Sequence, residues 1–395
     1  MIRVSEGSVR SILYRGHGVT EMEVEVDGGL ALAVNYDLVT GPVRPGDRVV
    51  LNTTAVTEGL GSGGFHFVMF VHGTTVKLPS HSGASTAREP GTGDAGQDGQ
   101  RPGSGHAAGH RPGSGHIMKL RYTPWQIKVL SVEEEESPHR DRILSFTSLS
   151  GQPVIIGSLH SVLAPAAVAF KLAAGKAARV VYLMTDGGAL PLGFSKSVRS
   201  LRERGYIDAT VTAGHAFGGD LEAVTLHSGL VAAHSVAAAD LTIVAMGPGV
   251  VGTASPFGTT ALEQGQAVDA VNCLGGRPIA VPRVSFRDSR SRHRGISHHT
   301  VTALGRIAQT RAVVPLPQLP EPRRSLLQEA LSASGLAARH DIVFESADSV
   351  LDVLEREQVP ASTMGRGPAE DREFFLTAAA AGMVAARLHT AMRTS

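Results

Sequence analysis

The chain has 395 residues and a mass of 41.2 kDa, with 42% hydrophobic and 18% charged residues. Such a length exceeds one ordinary core and such a composition excludes wholesale disorder, so two or three folded units are expected. Thirty-seven basic residues against thirty-six acidic ones leave a formal charge of +1, which excludes a global field drawing the protein to nucleic acid or anionic lipid.

The opening residues, Met1-Ile2-Arg3-Val4-Ser5-Glu6, lack the basic and apolar regions of a signal peptide. The chain then reads as strands. Glu21 to Val26 alternates strictly, putting Met22, Val24 and Val26 on one face and the glutamates on the other. Asp27-Gly28-Gly29 is a hairpin turn into Leu30 to Val34, Pro45-Gly46-Asp47 is a second turn into Arg48 to Asn52, and Phe65 to Val71 is a third apolar run. Short strands at this spacing predict a small β-barrel or sandwich over about residues 1–150.

Between residues 79 and 116 the composition collapses to Gly, Ser, Pro, His, Arg and Ala, and Arg101-Pro102-Gly103-Ser104-Gly105-His106 repeats as 111–116. A segment this poor in apolar residues is expected to form a disordered insertion. Its His81, His106, His110 and His116 could chelate metal opportunistically. Strand character resumes at 117–122 and 127–132, expected to complete the first domain, and Glu133 to Glu136 reads as a solvated boundary.

From Pro153 onward, short continuous apolar strands alternate with helices. Strands are expected at 153–158, 178–184, 207–212, 241–246 and 278–284, with the prolines of the last making it an edge or irregular strand. Helices are expected up to Ala174 and over 195–204, 220–239 and 259–274, and weaker strands at 312–314 and 341–344. This pattern predicts an α/β domain over 151–395, with a doubly wound, largely parallel, Rossmann-like sheet. Cys273, the single cysteine, excludes a disulfide framework and is expected to be a small buried residue. The Ala-rich stretch 374–386 is short for a membrane span and reads as a packed helix, so a cytoplasmic protein without a membrane partner is expected.

In open α/β sheets ligands bind beyond the carboxyl ends of the strands. The first strand delivers Ser158 and His160 there, the second Asp186, Gly187 and Gly188, and the third His215 and Asp220. The fourth delivers Gly247, Gly249, Gly252 and Thr253, and the fifth Arg287, Arg290, Arg292, His293 and Arg294, leading to His298 and His299. Each has a plain alternative: Asp186-Gly187-Gly188 is an acceptable turn and Asp220 a suitable helix N-cap. Their convergence on one side favours a functional cleft.

Gly247, Gly249 and Gly252 spell G-x-G-x-x-G, the spacing that lets a backbone approach a pyrophosphate. The match departs from a dinucleotide site by following the fourth strand, and Pro248, Pro256 and Gly258 delay the helix. Four arginines within eight residues suit bidentate recognition of phosphate or carboxylate, with a solvated charged loop as the alternative. His160, His215, His298 and His299 with Asp186 and Asp220 are acid–base candidates. The same set could hold a divalent ion through N and O ligands, although His298 and His299, about 100° apart on a helix, are not expected to share one.

The phrases Met184-Thr185-Asp186-Gly187-Gly188-Ala189-Leu190-Pro191, Gly214 to Glu222 and Arg292-His293-Arg294-Gly295-Ile296-Ser297-His298-His299-Thr300 resemble a bacterial domain-of-unknown-function family, number 3866. The resemblance runs over most of the chain except the insertion. It implies a bacterial cytosolic protein with a small N-terminal β-domain, and it brings no activity and no catalytic residues.

The residues themselves point to a small-molecule enzyme, a hydrolase or transferase, holding a phosphorylated or carboxylated metabolite. Asp186, His215, Asp220 and His298 are the catalytic candidates. Ser158, His160, Gly187, Gly188, Gly247, Gly249, Gly252, Thr253, Arg287, Arg290 and Arg292 are the ligand-binding candidates. The cofactor is open, with a divalent metal as one choice. A non-catalytic ligand sensor or assembly factor, or an RNA-associated protein acting through the β-domain, are the alternatives. Nucleic acid is otherwise not an expected partner, and a homo-oligomer is compatible with the sequence.

Overall fold

The computed structural model describes residues 3–59, 63–73, 115–122 and 125–394. The expected disordered insertion therefore lies, apart from its last two residues, outside the described residues. Five strands close the N-terminal barrel in the order β1-β2-β3-β5-β4. They are β1 (Val4–Gly16), β2 (Val19–Val26), β3 (Gly29–Tyr36), β4 (Arg48–Asn52) and β5 (Phe65–Val71), with the one-turn helices α1 (Asp37–Thr40) and α2 (Thr54–Thr57) between them. Closure depends on β1, whose first half pairs with β4 and whose remainder pairs with β2. Two register irregularities let this one strand bend around the barrel. Met22, Val24 and Val26 point inward against Val9, Ala33, Val49, Leu51, Val68 and Val71, as the alternation of β2 requires. Asp27 and Gly28 both take positive φ, which a two-residue turn between β2 and β3 demands.

The hairpin β6 (Ile117–Lys119) and β7 (Ile127–Val129) does not join the barrel, contrary to expectation; it forms its own two-stranded sheet. The reason is Lys119. Its ammonium is fully buried in the α/β domain, donating to the Glu222 carboxylate at 2.6 Å and to the Thr212 carbonyl at 3.2 Å. A charge so desolvated is tolerable only where its partners wait. Glu133, Glu134 and Glu136 accept hydrogen bonds from nearby backbone amides, so the acidic run serves as a set of local acceptors. The short α3 (Arg140–Leu144) then leads into the large domain.

That domain is an eight-stranded parallel sheet in the order β11-β10-β9-β12-β8-β13-β16-β17. In chain order the elements are β8 (Pro153–Gly157), α4 (Leu163–Ala174), β9 (Val180–Thr185), α5 (Lys196–Glu203), β10 (Ala209–Thr212), β11 (Leu221–Glu222), α6 (Leu226–Ser235) and β12 (Leu241–Met246). Next come α7 (Glu263–Cys273), β13 (Arg277–Val281), the hairpin strands β14 (Val284–Ser285) and β15 (Gly295–Ile296), α8 (His298–Thr302), β16 (Val313–Pro317), α9 (Arg323–Ser334), β17 (Asp341–Glu345), α10 (Asp348–Arg356) and α11 (Arg372–Thr394). Every residue of β8, β9 and β12 is buried, the signature of a sheet covered on both faces. The fold is thus Rossmann-like α/β preceded by a barrel.

Three expectations are corrected. The 278–284 strand is central, because Arg277 N–H donates to Gln152 of the segment entering β8 and so turns Pro278 towards β16, where a single register pair forms. The helix expected from Asp220 begins at Leu226, capped by Thr225 with Ser228 in a capping box, after the edge strand β11 has formed. Cys273, last residue of α7, is exposed. By length and composition α11 is apolar enough to cross a membrane, yet 72% of its most apolar window is buried in the protein. It lies on α4, where a Cβ on Gly382 would stand 2.3 Å from the Ala166 carbonyl.

The barrel seats on the segment after β9. Phe67 meets Phe194 at 5.9 Å, Glu21 pairs with Arg199 at 3.1 Å and Lys196 at 3.4 Å, and the Arg199 guanidinium lies 3.4 Å from the centre of the Tyr14 ring.

Candidate functional site

The chain leaves β9 towards β10 in one direction, and leaves β12 towards β13 in the other. This reversal places the crevice of an open α/β sheet beyond β9 and β12. Backbone fills it. Ala189 N–H donates to the Pro248 carbonyl at 2.7 Å, and a Cβ on Gly188 would come within 2.3 Å of the Gly247 carbonyl. Gly188 and Gly247 are therefore small so that two loops can touch, while a Cβ on Gly187 would stand 2.6 Å from the Glu263 carboxylate.

Beneath them runs a closed hydrogen-bond chain. Val198 N–H donates to Ser195 Oγ, which lies 2.6 Å from His160 Nε2; Nδ1 of that ring is 3.1 Å from Tyr182 Oη, which reaches the Ala245 and Met246 carbonyls. Reading donors outward, Ser195 donates to His160, His160 to Tyr182 and Tyr182 to backbone, so each group is satisfied. Burial pushes the His160 imidazole down to about 4. Ser158, the residue after β8, is buried.

The glycine-rich loop after β12 is held partly by its own hydrogen bonds. Thr253 N–H donates to the Gly258 carbonyl, Thr260 N–H to Val251, and Val251 N–H to Thr260 Oγ1. The helix α7 starts only at Glu263, eleven residues beyond Gly252, so these amides do not gather at a helix N-terminus. Gly249 is exposed at φ +100°, and Gly252 makes room for His299, whose Cε1 would lie 2.5 Å from a Cβ there.

The carboxylate and imidazole candidates separate. Exposed Asp186 accepts a hydrogen bond from the His215 backbone amide at 2.9 Å, and the His215 ring turns away, its Nδ1 accepting from Leu120 N–H at 3.0 Å. Asp220 lies at the far edge, with both oxygens on Arg202 at 2.8 and 2.7 Å and one on Thr210. Asp186 instead neighbours Glu263, which sequence reading missed. Glu263 accepts from Thr185 Oγ1, and burial raises its carboxyl to about 7, with the charge of Asp186 adding to the rise. The two acids are 77 positions apart, so no local pattern announces them.

Beyond β13 the chain forms the β14–β15 hairpin, and here charged groups gather. Asp288 is buried between Arg283 at 2.8 Å and Arg290 at 2.9 and 2.8 Å. The hydrogen bonds from Arg290, helped by the Arg283 charge, hold its carboxyl well below the usual carboxylate range against the opposing effect of burial. Among the described residues Arg287, Arg292 and Arg294 form no ion pair. On the outer side of the hairpin, a cavity of about 340 Å³ is lined by Phe286, Arg287, Asp288, Ser289, Arg294, Arg366 and Glu370. Arg366 is anchored by Asp371 at 2.8 Å, which in turn accepts from Ser285 Oγ. Arg283 and Arg366 were invisible in sequence, because their roles come from packing partners.

On the inner side His293, His298 and His299 converge, with ring centroids 4.1 to 5.0 Å apart. Contrary to the expected divergence, His298 and His299, the first two residues of α8, bring their rings to 4.1 Å from each other and within 5.0 Å of His293. Burial, then the neighbouring arginines, lower His293 to about 3; burial leads the same downward shift at His298 and His299. All three rings are neutral near pH 7, as metal ligands must be.

Residues 32–382 match the model of a family described as protein of unknown function (DUF3866). No curated protein and no solved structure matches the chain.

Proposed function

The chain belongs to that family of unknown function, and we propose, from the site alone, that it is a small-molecule enzyme acting on a phosphorylated or carboxylated metabolite, as a hydrolase or transferase. The observation that carries the reading is the cavity lined by Arg287 and Arg294 of the loop that also presents His293 and by Arg366 of the segment before α11, three guanidinium groups against the carboxylates of Asp288 and Glu370. Two unpaired guanidinium groups and a third held by Asp371 suit a dianion, which accepts bidentate hydrogen bonds and compensates local excess positive charge. Arg290 is spent on Asp288, so it shapes the loop; Arg292 stands free on the histidine side. Acid–base work falls to the groups around α7 and α8, with Glu263 beside Asp186 able to exchange a proton near neutral pH. We place the enzyme in the bacterial cytoplasm, as a protomer free to form a homo-oligomer.

Nucleic acid fits the barrel poorly. Glu23 and Glu25 lie on the outward face of β2, where a phosphate backbone would meet carboxylates, Glu25 already paired with Arg10, while Glu21 is taken up by Arg199 and Lys196.

Calorimetric titration with inorganic phosphate, followed by a panel of phosphorylated and carboxylated metabolites, tests the reading. Arg287→Ala and Arg294→Ala are each expected to weaken phosphate binding about tenfold, the loss of one charge-assisted hydrogen-bonding group. Equal binding by wild type and both variants removes the anion site. Unchanged turnover in both Asp186→Ala and His298→Ala would remove the catalytic assignment and leave a ligand sensor.

A further inference from the structure

We propose that His293, His298 and His299 form a binding site for one divalent transition-metal ion, with at least one coordination position left for water or an oxyanion. The ligand atoms of the three residues lie within 4.8 Å of one another. A tetrahedral ion bound through nitrogen at about 2.0–2.1 Å holds its ligands about 3.3 Å apart. The observed set is therefore open by about 1.5 Å at its widest, which rotations about the side-chain bonds can close.

Three local features favour a ligand over a packed aromatic cluster, and one opposes it. His298 Nε2 is inaccessible to solvent and has no hydrogen-bond partner, so this conformation leaves one imidazole nitrogen unsatisfied. Ser297 Oγ lies 2.8 Å from His293 Nδ1. When Nδ1–H donates to it, the lone pair on Nε2 is free and the ring orientation is fixed, the usual task of an outer partner in a metal site. The Arg283 guanidinium, 3.3 Å from the same Nδ1, opposes this tautomer, so ligation through Nε2 requires that contact to be given up while Arg283 keeps its 2.8 Å pairing with Asp288. Finally, Gly252 leaves the space that the His299 ring occupies, since a Cβ there would stand 2.5 Å from its Cε1.

An all-imidazole donor set suits zinc, cobalt, nickel, copper or iron and is poor for magnesium or calcium. The surrounding charge then sets what completes the coordination. Asp288 offsets Arg283 and Arg290, while Arg292 has no carboxylate. A bare dication would add to that excess, whereas a dication carrying hydroxide, phosphate or carboxylate relieves it. Metal and oxyanion should thus strengthen each other's binding, the point at which this inference deepens the proposed anion chemistry.

The test uses Co²⁺ as the probe with the full chain, read by visible absorption and by competition with a chelating dye. One ion per chain should bind, and binding should tighten in inorganic phosphate. His298→Gln and His299→Gln should each weaken it by at least about 100-fold, the upper end of what altering even an outer partner costs. Replacing His81, His106, His110 and His116 together by Ala should leave it intact. The inference is overturned if wild type binds no Co²⁺, or if that fourfold replacement abolishes binding that His298→Gln spares. Circular dichroism of the metal-free variants separates lost ligation from lost folding, and Ser297→Ala supplies a milder variant expected to weaken binding without removing it. Phosphate binding without Co²⁺ binding would sink the metal site and keep the anion reading; Co²⁺ without phosphate would do the reverse.

Discussion

Two loops leave the carboxyl side of the sheet with residues suited to anions, and they reach opposite ends. The glycine-rich loop after β12 carries no charged side chain, spends the Val251, Thr253 and Thr260 amides on its own carbonyls and hydroxyls, and its glycines admit the β9 loop and His299. The loop between β14 and β15 is scaffolded by one carboxylate, Asp288, on Arg283 and Arg290, which leaves Arg287, Arg292 and Arg294 without ion pairs. Each pattern is promising as sequence. What separates them is whether donors remain available once the backbone has been satisfied.

The largest expected effect comes from removing the scaffold. Asp288→Ala leaves Arg283 buried without a carboxylate and should cost about 3–5 kcal/mol in urea unfolding at pH 7. A loss under about 1 kcal/mol would mean that the clamp does not hold the loop. Because the Asp288 carboxyl is depressed by its partners, its stabilisation is present above its unfolded pKa and fades as pH falls through lower values. The Ala variant should therefore lose part of the wild-type acid sensitivity.

On the closed side, Gly247→Ala would force a Cβ to 2.2 Å from the Ala189 carbonyl. About 2–3 kcal/mol of destabilisation is expected, since backbone must move. Gly249→Ala meets no neighbour within 4 Å and strains only its positive φ, so about 1 kcal/mol is expected. Equal losses at the two positions would contradict the tight contact between the loops.

Glu263, the first residue of α7, sits against Thr185 and Gly187 on the closed side. Its carboxyl is raised from 4.5 to about 7, so the folded state holds this proton more tightly than the unfolded chain does. That contribution is full below pH 4.5 and is lost as pH rises through 7. Glu263→Gln should flatten the slope between those values and stabilise the protein at pH 8 by about 1–3 kcal/mol. An unchanged pH profile would show that the carboxyl is better solvated than its surroundings suggest.

Smallest should be the stability change on opening the arginine loop further. Arg287→Ala and Arg294→Ala are expected to shift unfolding by no more than about 0.5 kcal/mol. Larger losses would mean that these side chains are structural, and the comparison between the loops would lose its meaning.

Sequence by itself determined the alternation that closes the barrel around Met22 and Val24, the buried strands at Val154, Val181 and Ile243, and the side of the sheet where polar groups collect. These follow from local periodicity, because burial on one face or two leaves a mark every second residue. It also identified Arg287, Arg292, Arg294 and His293 as unusual, since their density is itself a sequence property. Only the tertiary structure decided which charges were spent: Asp220 on Arg202, Lys119 on Glu222 and Arg290 on Asp288. Only it joined His293 to His298 and His299, and Glu263 to Asp186. Such pairings depend on contacts between segments far apart in the chain, and a desolvated charge takes its partner from whatever the folded backbone places within reach.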